Sequence, residues 1–348
     1  MPAYRNPREA YRCRVPRRIA LAALALAACK QDPAPALKLL GVHSQATAQP
    51  TATGKALVTL CPWQGKLYIG YGDYQHNTGP IDVTAWDPAR GTFTRVHTSD
   101  TEAIYSYRAV GSSLYAPATD RRANADYAVG EPWRDEKPVG SAHAYDIATL
   151  DGTDLWLVGA AEGGDYLATA WRSTDGGAHW SVAHQPGWNG RYYFAAVYHE
   201  KLYLESWAER PIGPSEVFDG TSWQPGPELL PEGGHGTRPI VVHDRLVYAT
   251  KQTFDSPYPG LAATPNKLIG FDGVVAAAIF DREVLDFFGD DHQLLALDTG
   301  GVVWRTTDLA RWTRLVDASA IHPRSLAALD GTLYIGTVDA ALYSLRLR

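Results

Sequence analysis

One pattern of apolar and polar positions recurs along the 348-residue chain: a β-rich run, a polar turn of Gly, Asp, Ser, His or Lys, then a leucine followed by an aromatic or aliphatic residue. The leucines are Leu67, Leu114, Leu155, Leu202, Leu246, Leu294 and Leu333, as in Gly65-Lys66-Leu67-Tyr68-Ile69-Gly70 and Gly331-Thr332-Leu333-Tyr334-Ile335-Gly336. Their mean spacing is about 44 residues, which suits a four-stranded propeller blade and exceeds a leucine-rich or tetratricopeptide repeat. Seven copies predict an all-β, seven-bladed β-propeller that occupies residues 37–348 as one domain.

Each phrase predicts a hairpin. First strands are expected at Ala56 to Cys61, Tyr107 to Val110, Tyr193 to Tyr198 and Ile240 to Val242, each followed by a strand that begins near the repeated leucine. In the first blade two more strands, Ile81 to Trp86 and Thr92 to His97, flank Asp87-Pro88-Ala89-Arg90-Gly91, where Pro presets a turn and Gly accepts positive φ. After Leu333 only Ala341 to Leu347 remains, enough for a third strand but not a fourth. An open blade would leave an unpaired edge, so Leu37-Lys38-Leu39-Leu40-Gly41-Val42 is predicted to complete the last blade and latch the ring.

Composition sharpens this picture. Eleven Trp and 19 Tyr, against one Met and three Cys, suit strands packed through large flat side chains. Residues 1–18 hold six Arg and one Glu, and the uncharged run Ile19 to Ala28 follows. That is the form of a secretory signal peptide at 1–28. Ten apolar residues reach roughly 15 Å as a helix, half of the roughly 30 Å hydrocarbon core, so membrane contact is expected through a lipid anchor only. Leu26-Ala27-Ala28-Cys29 resembles the lipobox of bacterial lipoproteins; the resemblance implies cleavage before Cys29, its lipidation, and a tether over residues 29–36. Lys30, in second position, is not the aspartate that holds such proteins at the inner membrane, which implies an outer-membrane lipoprotein facing the periplasm or the surface.

Without residues 1–28 the chain has 26 basic and 37 acidic residues, a formal charge of −11. Nucleic acid is therefore excluded as a partner. Cys13 leaves with the signal and Cys29 is acylated, so Cys61 stands alone and no disulfide framework forms.

Trp171-Arg172-Ser173-Thr174-Asp175-Gly176-Gly177-Ala178-His179-Trp180 contains S-x-D-x-G-x-x-W and resembles the Asp-box of bacterial-neuraminidase repeats in sialidase-like propellers. The resemblance places it between third and fourth strands, with Ser173, Asp175, Gly177 and Trp180 as structural residues. Asp175 is suited to accept backbone N–H groups of its own hairpin and Trp180 to cap the apolar layer. Trp304-Arg305-Thr306-Thr307-Asp308-Leu309-Ala310-Arg311-Trp312 is a degenerate second copy. Sialidases of this type use an early Arg-Ile-Pro motif; the chain has only Arg210-Pro211-Ile212, in the wrong order and in the fourth blade. No H-x-H, H-E-x-x-H, C-x-x-C, G-x-S-x-G or P-loop spacing occurs, so neither a metal nor a cofactor nor a catalytic residue is implied.

A propeller gathers on one face the loops between second and third strands and those that lead into each blade. Asp73, Tyr74, His76 and Asn77 come from the first set, with Arg121, Arg122, Trp207, Glu209, Arg210 and the long Lys251 to Asn266 segment. Tyr107, Arg108, His143, Arg191, Tyr192, His235, Arg238, His322 and Arg324 come from the second. Together they predict a cationic, ring-rich centre for an anionic or flat-faced ligand. The expected function is a monomeric, non-catalytic binding or scaffolding module for an envelope protein or glycan; the alternative is a cell-envelope glycoside hydrolase or lyase of sialidase-like fold.

Overall fold

The computed structural model describes residues 36–117, 127–130, 133–138, 140–162, 166–187, 189–207, 215–231, 235–251 and 266–347. The signal at 1–28, Cys29, most of the tether, Arg121, Arg122, Glu209, Arg210 and residues 252–265 lie outside them, as does the side chain of Trp207.

The fold is a seven-bladed β-propeller of four-stranded antiparallel sheets. Blade 1 runs through Thr59–Trp63, Lys66–Gly70, Ile81–Asp87 and Thr92–Ser99; blade 2 through Arg108–Val110, Ser113–Pro117, Tyr127–Gly130 and Arg134–Glu136. Blade 3 comprises Ser141–Thr149, Leu155–Ala161, Leu167–Ser173 and Ser181–His184, and blade 4 Arg191–Tyr198, Lys201–Trp207, Glu216–Phe218 and Trp223–Pro225. Blade 5 comprises His235–Val242, Arg245–Lys251, Leu268–Phe271 and Ala276–Ala278, and blade 6 Val284–Gly289, Leu294–Asp298, Val302–Thr306 and Thr313–Asp317. Blade 7 has Pro323–Leu329, Thr332–Thr337 and Ala341–Arg346, and Lys38–Val42 pairs antiparallel with Ala341–Arg346 as its outermost strand. Residues 38–42 and the last three strands therefore share one sheet, which leaves blade 7 no unpaired third strand.

Each repeated leucine is the first or second residue of its blade's second strand, and all seven are at most 1% exposed. The period is thus a burial period, one apolar anchor per sheet. Flat rings fill the wedges between blades. Trp156 of blade 3 meets Phe218 and Trp223 of blade 4 at 5.1 and 5.7 Å, and Tyr127 of blade 2 meets Trp180 of blade 3 at 6.1 Å. Such rings suit gaps between twisted sheets because they bury much area with few rotatable bonds.

Two short helices, Ser44–Thr47 and Ala52–Lys55, lie between the latch strand and blade 1 and have no counterpart in the predicted elements. Four residues cannot display a helical period; side-chain caps define them. The His43 ring accepts from Ala46 N (3.0 Å) and contacts Thr84 Oγ1 (2.6 Å), and Thr51 Oγ1 accepts from Gly54 N (2.9 Å). Burial of His43 lowers its pKa to about 4, so the ring is neutral at physiological pH.

The face that carries the first-to-second and third-to-fourth hairpins is built by aspartates that fold back on their own turns. Asp87, Asp151, Asp219, Asp272 and Asp290 each accept two backbone N–H groups two and three residues ahead. The Asp175 hairpin is an elaboration of this. Ser173 Oγ donates to Asp175 (2.8 Å) and accepts from Gly177 N (2.9 Å), and Asp175 accepts from His179 N (2.9 Å). Gly176 and Gly177 take φ of 71° and 93°. Trp180 Nε1 then donates to Tyr127 Oη of the preceding blade (2.9 Å). The degenerate copy does the same: Asp308 accepts from Ala310 N and Arg311 N, Leu309 supplies the left-handed residue, and Trp312 Nε1 donates to Ile279 O of blade 5 (2.9 Å).

Candidate functional site

The opposite, loop face is where the inner strands begin, and five of them begin with a break in register. The shifts fall at Ser141/His143 and Ala144/Asp146 in blade 3, Tyr192/Phe194 in blade 4, Thr237/Ile240 in blade 5, Val284/Asp286 in blade 6 and Pro323/Ser325 in blade 7. A bulge cancels strict alternation and re-aims the residues around it. In blade 4 this sends Tyr192 into the core, where it is 0% exposed and bonds Glu216, and leaves Tyr193 half-buried in a row of rings.

That row crosses blades 3, 4 and 5. His143 lies against Tyr145 (5.8 Å) and Tyr166 (4.9 Å), Tyr145 against Tyr193 (4.7 Å), and Tyr193 against His235 (4.3 Å, interplanar 30°). The Arg191 guanidinium sits 4.9 Å over Tyr166 and bonds Tyr193. Beneath it Glu205, 1% exposed, accepts from Gly236 N (2.9 Å) through Oε2; Oε1 has no partner among the described residues. Burial raises its pKa to about 8, so the carboxyl is neutral at pH 7.

Charged groups line the channel beside this row. Arg108 pairs with Asp146 (2.8 Å) and donates to Ile147 O, Ala195 O and Pro239 O at 3.4, 3.4 and 2.5 Å, a crossbar tying blade 2 to blades 3, 4 and 5. Arg108 also lines a cavity of about 210 Å³ together with Val110, Thr149, Val197 and Ile240. Asp146 also accepts from Ala195 N, and Asp286 from Leu326 N (2.7 Å), so each buried aspartate stitches its own blade to the next. Arg238, at φ 52°, pairs with Asp286 and packs over Phe287 at 5.1 Å; Arg324 donates to Leu285 O (3.2 Å). Cys61 is half-buried on the inner strand of blade 1, and burial pushes its thiol up to about 12, against the pull of Arg108 and Arg238.

These positions correct part of the expected set. Tyr107 is 6% exposed and its hydroxyl donates to Ile69 O (3.0 Å), so it is a core residue, as is Tyr192. Arg108 is consumed by a carboxylate and three carbonyls. Asp73 is 1% exposed and accepts from Thr51 Oγ1 (2.7 Å), Gln75 N (3.2 Å) and the His76 ring (2.8 Å), which makes it the hub of its loop and not a free carboxylate. Asn77 takes φ 50° and its side-chain amide lies against the Glu102 carboxylate. His76 stays exposed at the rim, and Tyr74 meets Tyr105 edge-on at 6.0 Å. The structure brings His143, Arg191 and His235 into one row and places Arg238 and Arg324 together. Tyr105, Tyr145, Tyr166, Tyr193 and Glu205 were missed; one signal was present, since Tyr193 and His235 both stand near the starts of inner strands. Among the described residues no three His, Cys, Asp or Glu side chains form a metal-holding group.

Neither a family pattern nor a characterised protein of related sequence matches the chain. Solved structures do. Virginiamycin B lyase from Staphylococcus aureus is 12% identical, with 90% of this chain and 99% of that one covered and a TM-score of 0.60. The Pan2 WD40 domain of Neurospora crassa is 11% identical over 87% and 90%, with a TM-score of 0.55. The GH74 xyloglucanase of Xanthomonas campestris is 16% identical over 90% of this chain and 54% of that one, with a TM-score of 0.54. At such identities the likeness establishes the propeller and nothing of its chemistry.

Proposed function

We propose that this chain is a lipid-anchored propeller of the bacterial cell envelope that binds a glycan on its loop face. The observation that carries the reading is the continuous row His143–Tyr145–Tyr193–His235, with Arg191 over Tyr166, on the inner strands of three successive blades. Ring faces with a polar edge are what flat sugar faces pack on, and a rigid scaffold lowers the ordering cost of binding. Export and anchoring rest on the signal at 1–28 and the lipobox at Cys29. Two measurements test this. Palmitate labelling in cells is expected for the full chain and lost in Cys29→Ala. In detergent, the chain is expected to bind members of a glycan panel, and Tyr193→Ala to weaken that binding roughly tenfold, a loss of about 1–2 kcal/mol; an unchanged affinity removes the row from the site.

A second reading, glycoside cleavage, is favoured by Glu205. A carboxyl kept protonated at neutral pH is what a general acid needs. Turnover of a fluorogenic glycoside that disappears in Glu205→Gln supports it; no turnover across a broad panel leaves the binding module.

A further inference from the structure

We infer that the hairpin face of the ring rests on the lipid bilayer that holds the anchor, with Val274 and Val275 at the point of contact, so that the loop face is presented away from the membrane. The inference rests on the anchoring at Cys29 proposed above and goes beyond it to the surface that meets the lipid.

The place where the chain enters the ring carries the argument. Lys38–Val42 runs antiparallel to Ala341–Arg346, with Lys38 opposite Ser344 and Val42 opposite Ala341. Arg346 in turn lies opposite Thr332 and donates to Asp330 O (2.7 Å), so that end of the sheet is the hairpin end. The segment from Cys29 therefore joins the ring at the hairpin face. Eight residues separate Cys29 from Lys38, a reach of at most about 30 Å. To turn the loop face to the bilayer, that segment must first pass the length of blade 7, roughly 20 Å for a strand of 6 residues, whereas the hairpin face needs none of it.

The same face carries side chains that suit lipid. The turns at 219–222 and 272–275 have one build: in each, the aspartate accepts from the N–H groups two and three residues on, and the following glycine takes φ of 93° or 96°. Blade 4 fills the last two turn positions with Thr221 and Ser222. Blade 5 fills them with Val274 and Val275, which are 78% and 57% exposed. The turn does not call for valine, and water disfavours it. Val241, also exposed, stands at the end of the inner strand of the same blade, beside its hairpin. Basic residues of these hairpins are matched by turn aspartates, Arg90 by Asp87 (3.6 Å), Arg245 by Asp272 (3.8 Å) and Arg311 by Asp308 (2.9 Å), so the contact is apolar insertion and not attraction to anionic lipid. Blade 5 is two blades from blade 7. The valines and the anchor therefore meet one plane only when the whole face, and not the rim of blade 7, lies on it.

The test places an environment-sensitive dye on the full lipidated chain, in a Cys61→Ala background, at Val274→Cys, at Val338→Cys on the loop face of blade 7, and at Val42→Cys on the outer edge of that blade. The chain is reconstituted into phosphatidylethanolamine vesicles with brominated acyl chains, with and without phosphatidylglycerol, and flotation is recorded on the same samples. The dye at position 274 is expected to be quenched roughly twofold or more beyond the other two, as befits a side chain in the interface, whether or not phosphatidylglycerol is present. Equal or stronger quenching at position 338 or 42 overturns the orientation. Quenching at position 274 that appears only with phosphatidylglycerol, or none at any position, overturns the apolar contact. In each of these outcomes the chain still floats with the vesicles; a chain that fails to float overturns the anchoring reading itself.

Discussion

Aspartates on the two faces of the ring do different work. On the hairpin face they are exposed or half-buried and spend their oxygens on their own turns, as at Asp175 and Asp308, where those bonds hold the carboxyls well below the usual range. On the loop-face side Asp146 and Asp286 are buried at bulges and bond across blades. The first kind specifies a local turn and repeats around the ring. The second specifies where one blade meets the next, and its partners are arginines that periodicity alone assigned to ligand. The lesson is that a carboxylate's role here follows from whether its bonds close within a hairpin or between sheets.

Several variants sharpen that contrast. Asp286→Ala is expected to have the largest effect, a loss of about 3–5 kcal/mol, because it strands buried guanidinium charge and frees Leu326 N; urea unfolding reads it directly. Gly159→Ala comes next. A Cβ there would lie 1.9 Å from His143 O, so the bulge beneath the ring row must shift, at about 1–3 kcal/mol. A thermal melt near wild type would show that blade 3 yields more easily than its packing implies.

The third effect is pH-dependent. Glu205 keeps its proton in the folded state up to about 8, against 4.5 when unfolded. The native chain thus binds the extra proton between those values, and stability is expected to fall as pH rises through that window. Glu205→Gln retains an acceptor for Gly236 N and flattens the slope. Asp175 has the opposite sign, since its bonds favour the charged form: its contribution is full above pH 4 and lost on acidification. Asp175→Ala is expected to lower the melting temperature least of the four at neutral pH and to have no effect on glycan binding; a loss of binding would contradict the division between the faces.

Much of the ring was legible because burial repeats. Leu67 and Leu333 carry the same phrase, and both lie at the start of a second strand with 0% exposure. The candidate site was half legible. His143, Arg191 and His235 stand where loops enter blades and keep that position in space, whereas Tyr192 and Tyr193 differ only by a bulge that no alternation reveals. Arg108 was misread for a related reason. Its partners Asp146, Ala195 and Pro239 are 38 to 131 residues away, so nothing near it in the chain marks it as a crossbar.

By itself the sequence determined the number of blades, the hairpins within them and the aspartate turns, because those depend on contacts between residues close in the chain and on an apolar residue recurring once per sheet. The closed ring decided what no local signal carries: which inner-strand residue faces the channel after each bulge, which arginines are tied to buried carboxylates, and that Arg238 and Arg324 line one cavity. Those outcomes depend on groups brought together only when seven sheets meet around one axis.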